Sequence, residues 1–83
     1  MFVYNSNFVN NTGGAINNYI GNLYVLNSKF SRNTAYTGGA IYSHNTTVIN
    51  STFTDNFANF AGAIFSKTLL LDNCNFKNNI EGA

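Results

Sequence analysis

The sequence predicts an all-β fold, a right-handed single-stranded parallel β-helix (solenoid) of about three and a half coils of 22–23 residues. Three observations predict it. A short block recurs four times, as Asn5-Ser6-Asn7-Phe8, Asn27-Ser28-Lys29-Phe30, Asn50-Ser51-Thr52-Phe53 and Asn73-Cys74-Asn75-Phe76, with the phenylalanines 22, 23 and 23 residues apart. A second block follows, as Gly13-Gly14-Ala15-Ile16, Gly38-Gly39-Ala40-Ile41 and Ala61-Gly62-Ala63-Ile64, and the chain closes on a truncated Glu81-Gly82-Ala83. Proline is absent while Val, Ile, Phe, Thr and Tyr are plentiful, which at this repeat length suits stacked strands better than paired helices.

Each element of the repeat has its own reason. Val3, Val25, Val48 and Leu71 stand five residues before each phenylalanine and are expected to stack inward. In a parallel β-helix every strand pairs with its equivalents about 4.8 Å above and below, so like residues lie over one another. Asn5, Asn27, Asn50 and Asn73 come next, at an expected corner. Asparagine tolerates left-handed backbone, and its amides can bond along a stack. Ser6, Ser28, Ser51 and Cys74 share the following position, so the lone cysteine reads as a small residue replacing serine. Phe8, Phe30, Phe53 and Phe76 form an expected aromatic stack, followed three residues later by Asn11, Asn33, Asn56 and Asn79.

From phenylalanine to the second glycine (Gly14, Gly39, Gly62) the separations are 6, 9 and 9, and from there to the next aliphatic 11, 9 and 9. Length therefore varies between fixed blocks, and loops are expected at residues 17–22, 34–37 and 57–60. The glycines would permit positive φ or close backbone approach. Ile16, Ile41 and Ile64 are expected to point inward, because the next position is Asn17, Tyr42 or Phe65, a variability that suits solvent. A leucine-rich repeat shares the period and an asparagine ladder. It requires a Leu-x-x-Leu-x-Leu frame before its Asn, whereas the frame here is Val-x-Asn-Ser-x-Phe-x-x-Asn.

Residues 1–83 read as a single partial β-helix domain, a fragment of a longer solenoid. Four basic and three acidic residues give no field that would steer nucleic acid, and no apolar run approaches the roughly 20 residues of a membrane span. Charged residues make up 8% of the chain against roughly 25% in ordinary globular domains, with Asn, Ser, Thr and Gly supplying the polarity. With 45% hydrophobic residues the chain is too apolar for disorder. Met1 to Asn5 lack the basic and long apolar regions of a signal peptide, so any export signal is expected outside this chain.

The paired tetrapeptides Gly-Gly-Ala-Ile and Phe-x-x-Asn resemble the repeats of chlamydial polymorphic outer membrane proteins, with related repeats in adhesin-like proteins of other microbes. Phe-x-x-Asn is matched four times and Gly-Gly-Ala-Ile twice in full, while the third copy has Ala61 for its first glycine. The resemblance implies an exported, cell-surface or outer-membrane β-helix that mediates adhesion, with neighbouring coils of its parent and a host-surface glycan or protein as partners.

Chemistry is sparse in the sequence. Glycoside hydrolysis needs paired carboxylates, and polysaccharide lyases need several carboxylates around Ca²⁺ with a basic residue nearby. The only acidic residues, Asp55, Asp72 and Glu81, fall on different parts of the repeat. Arg32 and Asp55 share a position two after their phenylalanines, so an exposed ion pair between coils is expected. His44 is placed in a Ser43-His44-Asn45 turn with no metal-ligating neighbour. No Lys-Ser or Lys-Thr follows the glycine pairs as phosphate binding would require. No catalytic, cofactor-binding or metal residue is assigned. The expected contact residues are the outward aromatics Tyr19, Tyr36, Tyr42, Phe57, Phe60 and Phe65, since rings on a rigid rod can stack on a sugar or a protein. The expected function is a non-enzymatic structural and binding segment of a surface-exposed or secreted protein. The alternative is a fragment of a β-helical carbohydrate-active enzyme whose catalytic coils lie elsewhere.

Overall fold

The computed structural model describes residues 1–80, the Tyr19 side chain excepted, and these wind through about three turns of a parallel β-solenoid. The first sheet stacks β1 (Phe2–Tyr4), β3 (Ile16–Leu26), β6 (Ile41–Ile49) and β9 (Ile64–Asp72) in that order. The second stacks β2 (Asn7–Val9), β4 (Lys29–Ser31), β7 (Thr52–Thr54) and β10 (Asn75–Lys77), and the third pairs β5 (Thr34–Thr37) with β8 (Phe57–Phe60). Every pairing is parallel, and its register is the sequence repeat itself: Val3 on Val25 on Val48 on Leu71, Phe8 on Phe30 on Phe53 on Phe76, and Ile16 on Ile41 on Ile64.

The interior follows from that register. Val25, Val48, Phe30, Phe53 and Ile41 have no accessible surface, and Leu23 joins them. The four phenylalanine rings lie 4.7–4.8 Å apart between centroids and within 5° of parallel, a spacing imposed by the distance between strands. Burying each central ring contributes about 2–3 kcal/mol. At the ends the columns are only half covered: Phe8, Phe76 and Val3 are partly buried and Leu71 is exposed.

Two columns use left-handed backbone at every one of their four positions. Asn5, Asn27, Asn50 and Asn73 have φ between 49° and 56°, as the asparagine reading requires. A second left-handed column, Asn10, Arg32, Asp55 and Asn78, lies two residues after each phenylalanine. The ion pair expected between Arg32 and Asp55 is not formed. Asn10, one coil earlier at the same register, offers its amide oxygen, and Arg32 Nε donates to it at 3.0 Å.

Side-chain hydrogen bonding is strongest where the sequence reading placed least weight. Of the corner amides, Asn73 Nδ2 donates to Asn50 Oδ1. The continuous amide ladder is the other column. Asn11 Nδ2 donates to Asn33 Oδ1 at 2.8 Å, Asn33 Nδ2 to Asn56 Oδ1 at 2.9 Å and Asn56 Nδ2 to Asn79 Oδ1 at 2.8 Å. The second Nδ2 hydrogens of Asn33, Asn56 and Asn79 reach back to the carbonyls of Phe8, Phe30 and Phe53. Beside it runs a serine column, in which Ser6 N–H donates to Ser28 Oγ and Ser28 N–H to Ser51 Oγ. Cys74 continues this column, its Sγ 3.3 Å from the Val48 carbonyl oxygen.

The expected loops are strands. Residues 34–37 and 57–60 are β5 and β8, paired Thr34 on Phe57, Ala35 on Ala58 and Thr37 on Phe60. Both come from coils with the same nine-residue spacing from phenylalanine to glycine, so equal lengths stack. The shorter first coil keeps only a single bridge, Thr12 to Thr34. Residues 17–22 likewise run within β3. Nine residues separate Ile16 from Val25 and seven separate Ile41 from Val48. The excess is taken up by an irregularity between Asn18 and Asn22, with Gly21 at φ +109° and Ile20 86% exposed. His44 lies within β6 instead of in a turn, because the sheet bends there without breaking: Ser43 and Thr46 face inward on either side of His44 and Asn45.

The glycine corner is tight. A Cβ on Gly39 would overlap the Gly62 carbonyl and lie 2.8 Å from the Phe57 carbonyl oxygen, and one on Gly62 would lie 2.7 Å from the Ile80 nitrogen. Close approach is thus the reason for glycine at both positions.

Candidate functional site

With the inward positions filled by the columns, whatever the chain recognises must meet its outward side chains. Two kinds of outward surface result, one aromatic and one polar. Of the aromatics expected from sequence, Tyr36 and Phe60 form an edge-to-face pair with centroids 5.5 Å apart, on the third sheet. Tyr42 and Phe65 form another at 5.4 Å, at the start of the first sheet. Both pairs join residues of neighbouring coils: Tyr42 and Phe65 are register partners, whereas Phe60 is registered on Thr37 and meets Tyr36 diagonally. Phe57 is exposed beside Ile80 across the bridge between them. The Tyr19 side chain lies outside the described residues.

Three outward aromatics escaped the sequence reading. Phe2 stacks on Tyr24 at 5.1 Å and on Tyr4 at 5.9 Å, on the exterior of the first sheet. Leu70 continues the same row through Thr47. Period-2 alternation was the available signal: the neighbours of inward Val3, Val25 and Leu71 must point out.

The polar surface is a groove of about 620 Å³ on the exterior of the second sheet. The outward rows Lys29, Thr52, Asn75 and Ser31, Thr54, Lys77 line it. Arg32 and Asp55 line it from the left-handed corner, and Phe76 lines it from the last coil. It collects three of the four basic side chains of the protein against one carboxylate. Sequence reasoning missed this because Lys29, Arg32 and Lys77 are scattered singly along the chain and meet only through stacking. Compared with family models, curated proteins and solved structures, the chain has no match.

A smaller recess of about 330 Å³ is lined by Ser43, His44, Phe65, Ser66 and Lys67. Ser43 Oγ is buried without a hydrogen-bond partner among the described residues. Ser66 Oγ instead engages Thr46 Oγ1 at 2.9 Å and lies within reach of the His44 and Thr68 carbonyls. Among the described residues no group of three or more His, Cys, Asp or Glu could hold a metal ion, and no helix is long and apolar enough to cross a membrane.

Proposed function

We propose that this chain is a non-enzymatic structural and binding segment of a surface-exposed or secreted adhesin-like protein. Its ladder holds a glycan or protein against the outer side chains. The observation that carries the reading is the groove of the second sheet, where Lys29, Arg32 and Lys77 stand among hydroxyls and amides on strands that cannot shift independently. Such an array suits a linear glycan bearing carboxylates or sulfates: cations meet its charges, while Ser31, Thr52, Thr54 and Asn75 supply neutral hydrogen bonds. The ring pairs Tyr36–Phe60 and Tyr42–Phe65 add flat apolar faces of the kind that stack on pyranose rings. The tetrapeptide resemblance to polymorphic outer membrane proteins points the same way.

A glycan array probed with the native chain and with a Lys29→Ala/Arg32→Ala/Lys77→Ala variant tests this. Binding to acidic glycans that falls at least tenfold in the variant, with the same circular dichroism spectrum, supports the proposal. Undiminished binding removes the groove from it. Unsaturated or newly reducing ends released from polygalacturonate, without retention of any glycan, would favour a β-helical carbohydrate-active enzyme.

A further inference from the structure

We infer that Asp55 makes the groove of the second sheet selective for a glycan carrying a carboxylate on every second sugar, laid across the strands along the solenoid axis; the inference rests on the glycan-binding reading above. The direction follows from the rows. β4, β7 and β10 are only three residues long, whereas Lys29, Thr52, Asn75 and Ser31, Thr54, Lys77 run from coil to coil. A linear polymer therefore meets all the cations only by crossing the strands.

Along that line the charge alternates. The second coil presents Lys29 and Arg32, the third Asp55 beside the hydroxyls of Thr52 and Thr54, and the fourth Lys77. Successive strands are about 4.8 Å apart, so the two cationic coils lie about 9–10 Å from each other with the carboxylate coil midway. Asp55 is exposed, and Arg32 gives its Nε–H to Asn10 Oδ1 at 3.0 Å, a bond that anchors the guanidinium and leaves its terminal amino groups for a ligand. A pyranose in an extended chain advances about as far as one coil. A polymer of alternating charge thus sets its carboxylates against the second and fourth coils. Its neutral sugar meets the third coil, where the Asp55 carboxylate accepts from sugar hydroxyls. A polymer charged on every sugar brings a carboxylate over Asp55. Two like charges about 5 Å apart at a wet surface weaken binding about fourfold at low salt. Backbone geometry does not demand the carboxylate: Asp55 has φ +58°, and asparagine fills the same left-handed column as Asn10 and Asn78. Asp55→Asn therefore removes the charge and keeps the shape.

The test compares two polymers with the same charged group at different density: hyaluronan, with a carboxylate on alternate sugars, and polygalacturonate, with one on each. Native chain and Asp55→Asn, matched by circular dichroism, are titrated with both at low salt. Asp55→Asn is expected to tighten polygalacturonate binding about fourfold and to change hyaluronan binding by less than about twofold, with the difference fading at high ionic strength. Lys29→Gln should weaken both polymers. Equal tightening for the two polymers, or no change in either, would overturn the selectivity and leave the groove as a glycan site. Failure of both proteins to retain either polymer would remove the groove reading itself, and the inference with it.

Discussion

Replacing Asn56 with alanine is the sharpest test of what holds the coils together. Asn56 Nδ2 donates to Asn79 Oδ1 at 2.8 Å and to the Phe30 carbonyl at 3.1 Å, while its Oδ1 accepts from Asn33 N at 3.0 Å and Asn33 Nδ2 at 2.9 Å. Phe30 and Asn33 have no accessible surface, so three of these partners cannot turn to water when the amide is removed. A buried group left unpaired costs about 1–3 kcal/mol, so with partial relaxation the change removes about 3–6 kcal/mol. A chain of this length has a total stability of roughly 4–12 kcal/mol, so the variant sits at or near unfolding. Asn11→Ala is the control. It loses a single side-chain bond in a half-exposed first coil, and the backbone N–H of residue 11 still reaches Asn33 Oδ1, so about 1 kcal/mol is expected. Urea titrations followed by circular dichroism give both values. Equal losses below about 1 kcal/mol in the two variants would refute the view that the amide column, more than ring stacking, ties one coil to the next.

Gly62→Ala introduces a Cβ that overlaps the Ile80 carbonyl and lies 2.7 Å from its nitrogen. With backbone on the other side of the clash, a loss of more than about 3 kcal/mol is expected, seen as a weak or absent cooperative melt. One residue earlier the sign reverses. Ala61 holds φ +56° where the preceding coil has Gly38 at φ +63°. Left-handed backbone costs a non-glycine residue about 1–2 kcal/mol, partly offset by the greater unfolded-state freedom of glycine, so Ala61→Gly should raise stability by about 0.5–1 kcal/mol. That is a rise of a few degrees in Tm in a thermal melt, and a fall would contradict it.

The scaffold was largely legible because a solenoid writes its register into its repeat. Val25, Phe30 and Ile41 each announced an inward column by recurring at one spacing, and the stacked pairings reproduce those columns residue for residue. Less legible was anything decided by equality of length between two particular coils. Residues 34–37 and 57–60 looked like loops because the first coil lacks three of their residues, yet the two coils that keep them pair into a sheet. The relative weight of the two asparagine columns was also hidden. Both recur perfectly, and only the fold shows that Asn33 and Asn56 are enclosed while Asn27 and Asn50 stand at an open corner. Of the outward surface, Tyr42 and Phe65 were visible at a variable position and Tyr36 and Phe60 within the expected loops, whereas the groove needed cations from separate coils to be brought side by side.

The irregularity in β3 has a consequence for how such rods tolerate change. Its two surplus residues are spent on a swelling between Asn18 and Asn22, and from Asn22 onward the strand is back in step with β6. A mismatch in length is thus settled within one rung and never accumulates down the axis. The swelling around Ile20 is accordingly a natural seat for grafted peptides, since the rungs on either side already close around an excess without losing count.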